Sequence, residues 1–311
     1  VLCGMSGVLT IIAACLTSRP LLSLSLLAAG RIFLGFGESF SSTGSTLWGM
    51  NIAGPVHTAR VISWNGVATY MAMAIGAPLG VMLNQGLGVF GFAGLVALMG
   101  AAGFYLASRK PAVVVTVGQR VPFSQVFRRV WVYGVALGLG TIGFGVIATF
   151  ITLYFSSRGW SGAAMTLTLY SLGFAGVRLV SGNAITRFGG IKVSLVSFIV
   201  EAIGLFLLWH ADSVLAADIG ALLTGCGFSL IFPALGVEAV KQVEQQSQGS
   251  ALGTYSAFLD FGLGITGPVA GLLMNHLGIR SVYLAASLVV IAGVLMMIRL
   301  LMRPAKPLAT S

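Results

Sequence analysis

The sequence predicts an all-α integral membrane protein built from two pseudo-symmetric sets of helices. Three observations carry that fold class. The 311 residues have a mean hydropathy of +0.99 and only 8% charged side chains, where a soluble domain carries about 25%. Apolar runs of 18 or more residues recur along the chain, each long enough to cross a bilayer core of ~30 Å as a helix. A pattern of glycine, proline and serine repeats at a constant offset of 190 residues. The two-residue alternation of a membrane β-barrel is absent, so the runs read as helices.

Taken in order, the spans fall at about 1–17, 21–48, 61–84, 88–108, 131–155, 163–184, 191–210, 214–237, 251–274 and 281–302. Their connections are short, apart from a basic stretch at 109–130. The chain therefore divides into a first half (1–108), a linker (109–130), a second half (131–303) and a tail (304–311). The net charge of +10 would suit a nucleic acid, but its distribution points to a membrane instead. Arg19, Arg158 and Arg280 are the three basic residues in one set of connections. Thirteen others, from Arg60 through the linker to Lys306, sit at the opposite helix ends. Positive charge collects on the cytoplasmic side, so residue 1 begins there and Asp212 lies outside.

The repeat maps Gly30, Gly35, Gly37 and Ser39 onto Gly220, Gly225, Gly227 and Ser229, and "GAPLGVMLNQGLG" (76–88) onto "TGPVAGLLMNHLG" (266–278). Residues 1–110 thus pair with 191–300. The block 111–190 has no counterpart, which leads us to expect two further helices ahead of Val1, twelve in all, of which ten are present. Parallel six-helix halves joined by a basic loop are one known transporter layout.

Three motifs make the resemblance specific. "RIFLGFGES" (31–39) resembles the fourth-helix pattern R-x-x-x-G-x-G of the major facilitator superfamily. "GAPLG" (76–80), with Gly76, Pro78 and Gly80, resembles its fifth-helix antiporter motif. "GNAITRFGGIK" (182–192) resembles its loop motif G-x-x-x-D-R-x-G-R-K. Together with "FPALGVEAV" (232–240) and "AFLDFGLGITGP" (257–268), they identify the chain as a member, similar to the bacterial arabinose-efflux-permease-like group. Thr186 replaces the aspartate of the loop motif, and Ala77 replaces a glycine of the fifth-helix motif. The resemblance implies secondary active transport by alternating access in the bacterial inner membrane, with proton-coupled efflux of a small organic molecule such as a sugar or drug-like compound. Proton-coupled uptake of a sugar or organic acid, and a non-transporting sensor or scaffold on the same fold, are the alternatives.

Arg31 and Glu38 stand seven residues apart, two helical turns or ~10 Å. They share a face with Gly35, Ser42 and Ser45. A charge in mid-membrane costs a few kcal/mol and faces a cavity or a partner. Either these residues line the transport pathway, or each pairs with a neighbouring helix and fixes packing. Asp260 has the same two readings. Gly264, Gly267 and Gly271, beside Pro268, follow it on one face, which predicts close approach of another helix there. Tyr70 is its repeat equivalent. Gly134, Gly138, Gly140, Gly143 and Gly145 crowd a helix that, in the family, lines the cavity and bends. On that helix Phe150, Thr152 and Tyr154 are expected at the substrate or in packing. Arg178, Arg187 and Glu238, at cytoplasmic helix ends, are expected to form or break ion pairs as a gate, or to be solvated end charges, the reading open above all for Arg187. Glu201, in mid-helix, is expected to find a local partner or to pack within its half.

No P-loop is present, and the three histidines and three cysteines form no ligand cluster. An enzyme is not expected, nor a metal, another cofactor or a nucleic acid. The expected partners are a small-molecule substrate, protons and the lipid bilayer, with the protein as a monomer.

Overall fold

The computed structural model describes residues 1–110, 122–181 and 183–302; the side chains at positions 55, 59, 70, 73, 74, 77, 78, 81, 82, 84 and 85 lie outside that description. Two of the expected segments are affected, since 111–121 of the linker and the tail from 303 onward also lie outside it. The described residues form helices without strands. In chain order these are α1 (Leu2–Cys15), α2 (Pro20–Ala53), α3 (Thr58–Ser108), α4 (Phe123–Ser157), α5 (Ala163–Val180), the short α6 (Ala184–Phe188), α7 (Gly190–His210), α8 (Val214–Val240), α9 (Gln248–Leu277) and α10 (Ile279–Leu301).

Every expected span corresponds to a helix or part of one. α3 carries two spans, 61–84 and 88–108, joined at Gly88. There φ is +64°, a left-handed value that a glycine adopts without steric cost, and the helix axis breaks at that residue. Of the described helices, eight are long and apolar enough to cross a membrane. α4 begins at Phe123, inside the stretch expected to be linker. Its first turns are amphipathic: Val126 and Val130 are buried while Arg128 and Arg129 are exposed. Hydropathy alone hides such a start, because the arginines mask the apolar stripe.

The described residues form two compact units, 1–54 with 68–110, and 55–67 with 122–181 and 183–302. In the first, α1 packs against α2 and against the last part of α3. Gly30 of α2 approaches Ser6 and Leu9, Gly37 approaches Cys3, and Gly7 and Gly4 approach Ala93, Ala97 and Gly100. Small residues let helix backbones approach closely, which is how membrane helices associate when lipid supplies no hydrophobic drive.

The second unit has the larger core. Tyr154, Phe155, Phe198, Phe228, Tyr255 and Tyr283 are almost fully buried. The crowded glycines of α4 are explained by contact: Gly134 meets Phe258, Gly138 the Phe258 carbonyl, Gly140 Ile231 and Phe198, Gly143 Glu201, and Gly145 Thr266. A side chain at most of these positions would push α7, α8 or α9 away.

Candidate functional site

α2 presents two faces. One is the glycine seam on α1. On the other, Arg31, Gly35, Glu38, Ser42 and Ser45 are all exposed within their unit, and nothing approaches the position a Gly35 side chain would take. Arg31 and Glu38 are not joined by an ion pair, as their spacing predicts. Gly76 is likewise open, while a side chain at Gly80 would meet the Phe92 ring at 3.3 Å. The side chains of Tyr70 and Pro78 lie outside the described residues.

Asp260 of α9 is exposed within the second unit, and Pro268 with it. Here one expectation is corrected. The face of Gly264, Gly267 and Gly271 is approached by no other helix of this unit. Close approach to α4 occurs elsewhere on α9, where the Gly262 position lies 3.0 Å from the Gly138 carbonyl oxygen and Thr266 meets Gly145. The 4-3-4 spacing does place the glycines with Asp260, but on the side turned away from the core.

Phe150 and Tyr154 are also corrected. Both are buried among the helices of the second unit, at 4% and 0% exposure, so neither is open to a substrate. The Tyr154 hydroxyl lies within donating distance of the Leu208 and Ala211 carbonyls, 3.1 and 3.2 Å away. Its ring packs on Tyr283 and Trp160. Tyr154 therefore closes the C-terminal end of α7. Beside it, three charges converge: Arg158 reaches Asp212 at 3.2 Å, and Arg280 bonds both Asp212 and the Ala211 carbonyl. The Arg280 guanidinium holds the Asp212 carboxyl below its usual range.

The three candidate gate residues are placed in three different ways. Arg178 is buried, at 3% exposure. Its Nε donates to the Ser229 carbonyl of α8 (2.9 Å) and its Nη1 to the Ser63 carbonyl of α3 (3.2 Å). Its guanidinium lies over the Phe174 ring at 4.5 Å and occupies the space a side chain at Gly66 would need. These two partners are backbone carbonyls, which leave no mark in a sequence. Ser229 strengthens the node by donating to the Phe174 carbonyl at 2.5 Å. Glu238 accepts from the Gly190 amide (3.1 Å) and from Lys241 (2.9 Å). It places a negative charge at the start of α7, where the helix dipole favours one. Arg187 is exposed and stacks on Phe188. Of the expected ion pairs, the described one is Glu238 with Lys241.

Of the two expectations for Glu201, a local partner or packing within its half, the structure shows packing: it is fully buried against Gly143 and Gly227, and neither carboxyl oxygen has a hydrogen bond among the described residues. A cleft of about 450 Å³ between α4 and α10, lined by Trp131, Val135, Leu295 and Arg299 among others, contains none of the candidate residues.

This arrangement of long apolar helices with charges sequestered along a few faces meets its decisive comparison in sequence. The chain matches the Major Facilitator Superfamily over residues 1–182 and again over 162–311. It belongs to that superfamily. The double match reflects the two pseudo-symmetric halves. The chain is 50% identical over 302 residues to the uncharacterized MFS-type transporter YhhS of Escherichia coli K12, which covers 97% of this chain and 75% of that protein. The YhhS transporter of Salmonella typhimurium LT2 matches with the same identity and coverage. Among solved structures, the major facilitator transporter FucP in its outward conformation superposes with a TM-score of 0.73 at 15% identity, over 97% of this chain and 81% of its own. The human organic anion transporter MFSD10 (TETRAN) gives 0.72 at 16% identity, over 95% and 76%. These structural likenesses show the fold. The protein is a multi-pass membrane transporter of the superfamily.

Proposed function

We propose that this superfamily member exports a small organic molecule in exchange for protons, by alternating access, as a monomer in the bacterial cytoplasmic membrane. The observation that carries the reading is where its mid-helix charges lie. Arg31 and Glu38 of α2 and Asp260 of α9 sit inside apolar spans, yet in their own units they occupy open faces that no helix of that unit covers. An ionisable group inside a membrane span marks a pathway by default. Glu38 or Asp260 takes up a proton from the outer side and gives it up on the inner side. Arg31 modulates that exchange or holds an anionic group of the substrate.

In this reading the halves 1–108 and 131–303 rock about a central site, tethered by the 109–130 linker. Arg178 supplies the cytoplasmic latch, since it ties the first turns of α3 to α5 and α8 through two carbonyls and the Gly66 notch. Glu238 steadies the neighbouring start of α7. Efflux is favoured by the fifth-helix motif at Gly76, Pro78 and Gly80. Ala77, which departs from that motif, favours the second reading, proton-coupled uptake. One solved relative by fold is described as a fucose:proton symporter.

The test is a proton-flux screen. The protein, reconstituted in liposomes, is challenged with a panel of sugars, organic acids and drug-like compounds. At least one compound should move protons, against its own direction of travel for efflux and along with it for uptake. Facilitated movement without any proton flux would contradict the coupling.

A further inference from the structure

Glu201 lies halfway along α7, and the elements around it leave its carboxyl group enclosed. Its oxygen Oε1 fills the place a Gly143 side chain would occupy on α4, and the backbone at Glu201 fills that of Gly227 on α8. Leu205 closes the same pocket on the α4 side. Exposure is zero and neither oxygen has a hydrogen-bond partner.

Among the described residues, no counter-charge faces it. From α4 the nearest titratable groups are Tyr133 and Tyr154, about 15 Å along the axis from Gly143, while Arg128 and Arg129 lie at the cytoplasmic end. From α8, Asp218 and Glu238 are bound to Thr166 and Lys241 near opposite ends, and the Cys226 sulfur lies against Gly173 of α5. α10 offers the Ser287 hydroxyl at this level, already donated to the Ala202 carbonyl. Its titratable groups are Tyr283, packed on Tyr154 one turn outward, and Arg280 and Arg299 at its ends. Arg187 of α6 is exposed, and Lys192 and His210 sit at the ends of α7 itself.

An ionised carboxylate without a partner or water is among the costliest groups to bury. We propose that Glu201 is a proton-binding site, separate from Glu38 and Asp260, that stays loaded while α4, α7 and α8 are packed and exchanges its proton only when α4 moves off α7. The step is a simple one: the O–H bond breaks, the proton passes to water admitted along the glycine-lined seam, and the carboxylate is left hydrated. Without that opening, the seam has no place for the charged form. The inference does not depend on the direction of transport or on the identity of the transported molecule.

The experiment is infrared spectroscopy of the reconstituted Glu38→Gln/Asp260→Asn protein at pH 7.5, with and without Glu201→Gln, followed by transfer to D2O. The other acids are partnered or exposed, so a protonated carboxylic-acid C=O band that shifts slowly in D2O and disappears with Glu201→Gln is the expected result. Thermal unfolding in detergent gives a second readout. The folded wild-type protein would hold one more proton than the unfolded chain above the ordinary carboxylate range, so its Tm should fall by several degrees as pH rises from 6 to 9. Glu201→Gln should remove that slope. Absence of the band, or an unchanged pH slope in Glu201→Gln, would overturn the proposal. If Glu201→Gln fails to fold, the band in the double variant still decides.

Discussion

α2 and α8 are copies at an offset of 190 residues, and they are packed in different ways. Both use paired glycines to approach the helix before them: Gly30 and Gly37 meet α1, and Gly220 and Gly227 meet α7. They part on the next face. Gly225 of α8 is covered by the Tyr170 backbone of α5, while its copy Gly35 is approached by nothing. Ser229 is buried and bonded to α5, while Ser39 is exposed. The open face of α2 is the one that carries Arg31 and Glu38. One inherited pattern thus serves as a packing seam in one half and leaves ionisable groups accessible in the other. A glycine motif by itself does not say which of the two it does.

The comparison breaks most visibly at the glycines. Gly225→Val would drive two methyls into the α5 backbone, and overpacking of this kind costs ~1–3 kcal/mol or more. Thermal unfolding in detergent should show a large loss of stability or no folded protein. Gly35→Val should stay within ~0.5 kcal/mol of the parent. An equal collapse of both variants would mean that the α2 face is packed after all.

A smaller effect is expected at the serines. Ser229→Ala removes a buried hydrogen bond and leaves the Phe174 carbonyl short of a donor beside Arg178, a loss of about 1–3 kcal/mol. Ser39→Ala should be close to neutral in the same assay. Similar losses in both would erase the distinction between the two helices.

The smallest effect is at the connections that lead into the two helices. Asp212, just before α8, is clasped by Arg158 and Arg280, whereas its repeat position in the first half is Leu22, exposed near the start of α2. Because Arg280 lowers the titration of Asp212, the clasp contributes stability above the ordinary carboxylate range and loses it as pH falls through the lowered value. Asp212→Asn should therefore lower the Tm slightly at pH 7, and the gap from the parent should close on acidification. A gap that persists in strong acid would assign the role to packing instead.

Much of this was legible in the sequence, for identifiable reasons. Hydropathy locates the spans because each must hide its backbone from lipid, and the break at Gly88 falls between two of them. The polar stripe of α2 could be read because 3.6 residues per turn fix which residues share a face. What could not be read depends on which neighbour each face meets. The spacing of Gly264, Gly267 and Gly271 was correct, but it does not tell which side of α9 faces α4. Arg178 binds backbone carbonyls, which every residue carries, so no partner could be named in advance. Tyr154 appeared as a cavity aromatic because only the fold brings the end of α7 to its hydroxyl. The enclosure of Glu201 likewise depends on glycines in two helices distant in sequence, Gly143 and Gly227.

The central claim is that the mid-helix acids on open faces carry the proton. It is tested most directly by comparing pH-driven transport with substrate counterflow in liposomes, for Glu38→Gln, Asp260→Asn and the parent, using a compound found by the proton-flux screen. The account predicts that at least one variant keeps counterflow exchange near the parent rate and loses concentrative, pH-driven movement. Parent-like pH-driven rates in both variants would contradict it, and would leave the charges of α2 and α9 as packing devices.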